Sequence, residues 1–433
     1  MKDGDGVVVK EFGGTVGAAG LMLWSHGLPV YFWMALEYCK GGVFWPLDGD
    51  MWARMRVDLV PDCTSICMYF GFVALQVFFA YTLPGPTVKG LPVPSENNKQ
   101  YEYHCNALSA WYCSLLILFT LHYTDLAPLT LIADHFGHMM VLAMGFSDVV
   151  AVLVYIAGVS MGKTTRMSGS LVYDFFMGAW LNPRIGELDL KLFAEIRVSW
   201  MTLFFLTLSA AAKQYSSLGY ISSAMGVVLL AHFLYSNACM KGEECVPTTW
   251  DIFYEKWGWM LVYWNLAGVP FVYCFPAYYI LRNNPVLPPG FAVVLTVVLL
   301  TAYYFWDSSQ SQKNRFRMQL RGTYIPRNSF PQLPYGTLAS PQYITAECGD
   351  KLLVSGWWKY ARKVHYTADV TMAWVWGLSC GFSGLLPYFY PVFFMGMIYH
   401  RYTRDLQRCA RKYGKDWDRY LRTVPYAFIP GLF

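Results

Sequence analysis

Long apolar stretches separated by short polar connectors run the length of this chain. Runs able to cross about 30 Å of hydrocarbon, roughly 20 residues each, lie near Val16 to Tyr38, Thr64 to Leu83 and Asn106 to Tyr123. A longer run from Leu126 to Val159 has room for two short spans or one long tilted pair. Further spans fall near Ser199 to Ala212, Ile221 to Cys239, Trp257 to Leu281, Gly290 to Trp306, and Val370 to His400. Gly381 to Pro387 breaks the last into a helical hairpin. None shows the alternation of a barrel strand, and lipid admits only helices or closed barrels. The pattern therefore predicts an all-α fold, a polytopic membrane helical bundle of about ten transmembrane helices. We divide it into residues 1–200, with the first helices and an aromatic loop, and residues 201–433, with the later helices and the pockets. No internal repeat is evident, which disfavours an inverted-repeat transporter.

Composition agrees with a membrane protein: 55% of the 433 residues are hydrophobic, 18% aromatic and only 14% charged, with a mean hydropathy of +0.31. The net charge of +5 is modest. Its excess base gathers at Lys163 to Arg166, Lys313 to Arg321 and Arg401 to Arg422, segments expected on the cytosolic side. Nucleic-acid binding would need a separate basic domain, and none is visible. The start, MKDGDGVVVKEFGG, is too polar for a cleavable leader, so the first span is expected to direct insertion. Eleven cysteines occur without a CxxC pair, so neither a zinc site nor a redox dithiol is indicated, and no other metal is expected. Cys239 and Cys245 flank a short loop as either a lumenal disulfide or two free thiols, the second being the simpler reading.

Charge within apolar surroundings marks function or pairing. Asp134, His135 and His138 share one long span, with Asp148 ten residues beyond His138. Asp251, Glu255 and Lys256 open another, and helical spacing sets Asp251 and Glu255 one turn apart with Tyr254 beside them. Pairing at a helix end accounts for these acids as well as an acid relay does. His122 and His232 read as structural. The loop from Gly169 to Trp200 carries Asp174, Asn182 and Arg184, which either shape a cavity or anchor the loop. Lys313, Arg317 and Arg321 recur every four residues on one helical face, an arrangement suited to an anion. Arg401, Asp405, Arg408 and Lys412 form a second such face. Lipid head groups would satisfy the charge alone. Trp358, Tyr360, His365, Tyr366, Asp369, Tyr413 and Trp417, interleaved with the base, also offer ring and ribose contacts.

Six ordered blocks carry a resemblance: EFGG at Glu11 to Gly14, YDFFMGAWLNPRIGELDLKLFAEIR at Tyr173 to Arg197, GWMLVYWNLAGVPFVY at Gly258 to Tyr273, SQKNRFR at Ser311 to Arg317, GWWKYARKVHYTAD at Gly356 to Asp369, and RDLQRCARKYGKDWDRYLRTVPY at Arg404 to Tyr426. Across essentially its whole length the chain resembles the sterol reductases of the endoplasmic reticulum membrane. That family includes the carbon-14 and carbon-7 reductases, the membrane part of the lamin B receptor and the delta-24(28) reductases of ergosterol synthesis. ARKVHYTAD differs from the ARHxNYxGD of the first two branches, with His365 in place of Asn, and is similar to the side-chain-reducing branch. The receptor's DNA-binding extension is not expected. The resemblance implies NADPH as cofactor and a sterol as substrate. It implies cofactor contacts at Lys313, Arg317, Arg321, Trp358, His365, Tyr366, Arg401, Asp405 and Tyr413. For the catalytic acid relay we expect Asp251, Tyr254 and Glu255. No GxGxxG follows a strand, so a Rossmann site is excluded. Two rival readings are a membrane methyltransferase using S-adenosylmethionine, whose tail is similar, and a sterol-binding protein without turnover. Oligomeric state is not legible.

Overall fold

The computed structural model describes residues 10–45, 49–324, 326 and 331–432. It divides into two compact units, Met1–Asn284 and Pro285–Phe433. The first unit contains α1 (Gly14–Cys39), α2 (Cys63–Thr82), α3 (Ala107–Tyr123) and α4 (Phe136–Ser160). It continues with α5 (Leu190–Leu218), α6 (Ser223–Lys241) and α7 (Trp259–Asn283). The division expected at residue 200 falls inside α5, a continuous run with a π-helical turn at Ala194–Ser199.

Local sequence explains where these helices begin. Asp62 accepts the Ser65 N–H at 2.8 Å while Ser65 Oγ accepts the Asp62 N–H at 3.1 Å, a reciprocal cap at the head of α2. Ser222 caps α6 through the Met225 N–H. Burial then sorts the bundle. Of the apolar windows in α5 and α7, 83% and 78% are buried, against 28% in α2 and 33% in α4. The former pair is the interior of the unit. The latter present apolar stripes such as Val149, Val152, Leu153 and Ile156 outward at helical spacing, as a lipid-facing helix must.

The second unit contains α8 (Pro289–Arg321), α9 (Val364–Leu378), α10 (Phe389–Tyr413) and α11 (Lys415–Thr423). An antiparallel hairpin pairs β1 (Tyr343–Thr345) with β2 (Lys351–Leu353). The break expected in the last apolar run lies between α9 and α10, with Gly381 at φ 69° and a 3-10 turn at Leu386–Tyr388. At 1.5 Å per residue α8 is roughly 50 Å long, longer than the hydrocarbon, so its basic C-terminal turns extend past the apolar part. Of the Pro-rich stretch from Arg321 to Leu352, residues 325 and 327–330 lie outside the described residues, as do residues 1–9 of the polar start.

Six helices among the described residues are long and apolar enough to cross a membrane, namely α2 and α4 to α8, with α3 a shorter apolar helix of 17 residues. About ten spans were expected. The run from Leu126 to Val159 supplies one span, α4, preceded by a single turn at Leu131–Asp134. The α9 and α10 pair falls short because α9 has 15 residues and α10 is charged through its second half.

Candidate active site

The basic end of α8 is joined to the GWWK segment by side chains facing it from successive turns. Ser308 Oγ accepts the Trp357 Nε1–H at 2.9 Å, Gln312 Oε1 accepts the Trp357 backbone N–H at 2.9 Å, and the Ser309 carbonyl accepts the Trp358 Nε1–H at 2.9 Å. Gly356 must be glycine here: its φ is 62°, and a Cβ would sit 2.3 Å from Gln312 Oε1. So held, the buried Trp358 ring lies beneath Lys313, whose Nζ is 3.9 Å from its centroid, a cation–π contact. The His365 ring lies tilted against the same indole at 5.1 Å, and the Tyr366 ring is tilted against His365 at 4.1 Å. This is a continuous row of a cation and three rings.

Lys313, Arg317 and Arg321 follow one another up α8. Among the described residues none of the three has a carboxylate within ion-pair distance, and Arg317 and Arg321 are exposed. Their neighbour Arg315 differs, since its Nη1 donates to Thr337 Oγ1 at 2.7 Å. Three aligned cations without counter-ions are an electrostatic liability that a polyanion would relieve. His365 adds an open polar atom, because its Nδ1 is buried without a hydrogen-bond partner. Burial, together with Lys313, Lys363 and Arg401, holds the imidazole pKa well below its ordinary value. The ring is therefore neutral at pH 7 and keeps one nitrogen as an acceptor.

Asp405 and Tyr413 sit in this cluster with partners of their own. Asp405 pairs with Lys363 and, at 3.0 Å, with Arg408. Burial alone would raise this carboxyl, but Lys363 and Arg408 outweigh it and hold the pKa below the usual carboxylate range. Tyr413 donates to Asp350 Oδ2 at 2.9 Å, and Lys412 pairs with the same oxygen at 2.5 Å. Asp350 precedes β2, so the hairpin is tied to the end of α10. Arg401 lies one turn before Asp405. The C-terminal segment closes the arrangement: Arg362 Nη1 donates to the Val424 and Pro425 carbonyls, both at 2.6 Å, and the Lys363 N–H to the Ala427 carbonyl at 2.8 Å.

All nine residues expected to contact the cofactor thus fall in the second unit. Three residues that order them were not singled out from the sequence. Lys363 and Arg362 stood inside the quoted ARKVHYTAD motif, where their charge was visible. Asp350 gave no local signal, since its partners are 62 and 63 residues away.

The expected acid group lies in the first unit and differs from its sequence geometry. Helix covers only Trp250–Phe253, and Tyr254 leaves it at φ −129°. Asp251 and Glu255 therefore do not share the continuous helical face that their spacing implied. The Lys191 ammonium, donating to the Ile252 and Glu255 carbonyls at 3.2 and 2.7 Å, holds this turn. Glu255 is buried and its Oε1 accepts the Trp250 Nε1–H at 2.6 Å. Tyr254 is sandwiched, with the Trp250 ring at 3.8 Å and the Arg166 guanidinium at 3.9 Å. Nearby, Asp174 accepts the Ser168 and Gly169 N–H groups, and Arg184 donates to the Glu102 and Glu187 carbonyls. Both anchor loops. Asn182 is buried with neither amide atom bonded. None of the eleven cysteines, Cys239 and Cys245 included, is joined in a disulfide.

Comparison with known proteins agrees in coverage and kind. The model of the ergosterol biosynthesis ERG4/ERG24 family matches residues 7–433. The Delta(24(24(1)))-sterol reductase of Gibberella zeae is 43% identical over 97% of this chain and 72% of its own length. The corresponding enzyme erg4A of Aspergillus fumigatus is 43% identical over 98% of this chain and 92% of its own. A Delta(14)-sterol reductase of Dictyostelium discoideum is 35% identical over 98% and 92%. The multi-pass helical chain described above therefore belongs to the ERG4/ERG24 family of sterol reductases, oxidoreductases that act on carbon–carbon double bonds.

Proposed function

We propose that this protein reduces the side-chain 24(28) double bond of a sterol with NADPH, in the endoplasmic reticulum membrane. The observation that carries the cofactor assignment is the row of Lys313, Arg317 and Arg321, three cations without carboxylate partners among the described residues, beside the Trp358 and His365 rings. The assignment of the bond rests on the two relatives at 43% identity, both named Delta(24(24(1)))-sterol reductases, and on the ARKVHYTAD sequence.

The residues fit a phosphorylated dinucleotide. Arg317 and Arg321, with planar guanidinium groups open to solvent, suit phosphate oxygens including a 2′-phosphate. Trp358 and Tyr366 offer ring faces, and His365 Nδ1 offers an acceptor. Lys363, fixed by Asp405, lies at the edge of the same cluster. When bound, NADPH supplies a hydride. An isolated alkene is not an electrophile, so a proton must reach the methylene carbon before or together with that hydride. Protonation there puts positive charge on the tertiary carbon 24, where the cofactor would deliver its hydride, so that one proton and one hydride would account for the new pair of C–H bonds.

A second reading, reduction of the carbon-14 double bond, is favoured by the relatives at 35% and 32% identity. One experiment separates the two. The purified full chain is incubated with NADPH and, in parallel, a 24(28)-unsaturated and a 14-unsaturated sterol, and the products are weighed by mass spectrometry. Saturation of the side chain alone supports the proposal. Saturation of the ring alone gives the second reading, and neither product excludes both.

A further inference from the structure

Asp62, His135 and His138 bring three ligand atoms within 4.8 Å of one another, though the acid is 73 residues from the first histidine in sequence. The geometry points to a divalent transition-metal site, of the kind that takes Zn²⁺, joining the chain just before α2 to the head of α4. Three observations carry it. Asp62 Oδ2 lies 2.9 Å from His135 Nδ1, yet this buried nitrogen forms no hydrogen bond. Two ligands of one ion approach side by side rather than as donor and acceptor; across a tetrahedral zinc with bonds near 2.0–2.1 Å they stand about 3.3 Å apart, so this pair opens by about 0.4 Å when the ion enters.

The second observation is His138, whose Nδ1 contacts the Val60 carbonyl at 2.6 Å. With the proton on that nitrogen the lone pair sits on Nε2 and the ring orientation is set, the outer-shell arrangement typical of a metal-binding histidine. The third is Asp62 itself. Its Oδ1 is occupied by the Ser65 N–H at 2.8 Å, which fixes the carboxylate plane and leaves Oδ2 for the ion. Asp134, the acid next to His135, is not a competing ligand, because it pairs with Lys213 at 2.5 Å.

Two imidazoles and one carboxylate select a borderline ion such as Zn²⁺ over Ca²⁺ or Mg²⁺, which take oxygen ligands. Three protein ligands leave a fourth position for water. An ion here pins the Val60 to Asp62 segment to the first turn of α4, so its effect is to stabilise the packing of α2 against α4.

Zinc titration of the purified full chain in detergent, with thermal unfolding and the visible spectrum of Co²⁺ as readouts, tests this. The expected result is one saturable ion per chain, a rise in melting temperature reversed by a chelator, and tetrahedral Co²⁺ bands. Asp62→Asn keeps the helix cap, since Asn caps as well as Asp, and is expected to weaken zinc binding at least ~10-fold. His138→Gln, whose amide still donates to Val60, is expected to do the same. Binding unchanged in both variants, or no saturable binding to the unmodified chain, overturns the site. Neither readout involves sterol or NADPH, so the outcome is independent of the reductase proposal.

Discussion

Arg317 makes no hydrogen bond or ion pair among the described residues and is exposed, whereas its neighbour Arg315 is tied to Thr337. A side chain with no internal work contributes little to folding, and surface changes away from packed features stay within about 0.5 kcal/mol. Arg317→Ala is therefore expected to leave the thermal midpoint of the empty protein unchanged; a fall of several degrees would show that the guanidinium has a structural role. Asp405 is the opposite case. Lys363 and Arg408 hold its folded pKa below the unfolded value, so its contribution to stability is present above about pH 4. That contribution is lost as the pH falls through the folded pKa. Thermal midpoints measured from neutral pH downward should drop on this acid limb, and the drop should be shallower in Asp405→Asn, which loses that stability at every pH. Identical acid limbs would remove Asp405 from the account. The four-residue spacing of the α8 cations was legible in the sequence because helical geometry alone determines it. The identity of their neighbours was not, because Asp350 and Lys363 meet α10 through contacts far apart in the chain.

The blocks of sequence that carry the family resemblance have physical causes at the level of elements. Gly178, in YDFFMGAW, and Gly258, in GWMLVYW, are where two loops cross: a Cβ on Gly258 would lie 2.1 Å from the Gly178 nitrogen and 2.3 Å from the Met177 carbonyl carbon. Both obstacles are backbone and cannot swing aside. Gly258→Ala is thus expected to destabilise the first unit by ~1–3 kcal/mol, measured by thermal or denaturant unfolding in detergent, and a neutral result would mean that the crossing is looser than described. Helix existence was largely readable from apolar runs, including the break between α9 and α10 at Gly381. Helix continuity was less so. Asp251 and Glu255 have i, i+4 spacing, but Lys191 reaches from 60 residues away to anchor the turn between them, and Tyr254 departs from helical geometry. Periodicity carries no information about such a distant ligand for backbone carbonyls.

At the scale of the molecule, the first unit supplies the buried helices α5 and α7 and the second the basic ends of α8 and α10. The nine residues expected to meet the cofactor all belong to the second unit. The central claim is that the α8 cations hold the phosphates of NADPH. It is tested most directly by the equilibrium affinities of the full chain and of Arg317→Ala for NADPH and NADH. The account predicts that the unmodified chain prefers NADPH by at least ~10-fold, about 1.4 kcal/mol, and that Arg317→Ala lowers NADPH affinity towards that for NADH. Equal affinity for the two dinucleotides, or NADPH affinity untouched by Arg317→Ala, would contradict it.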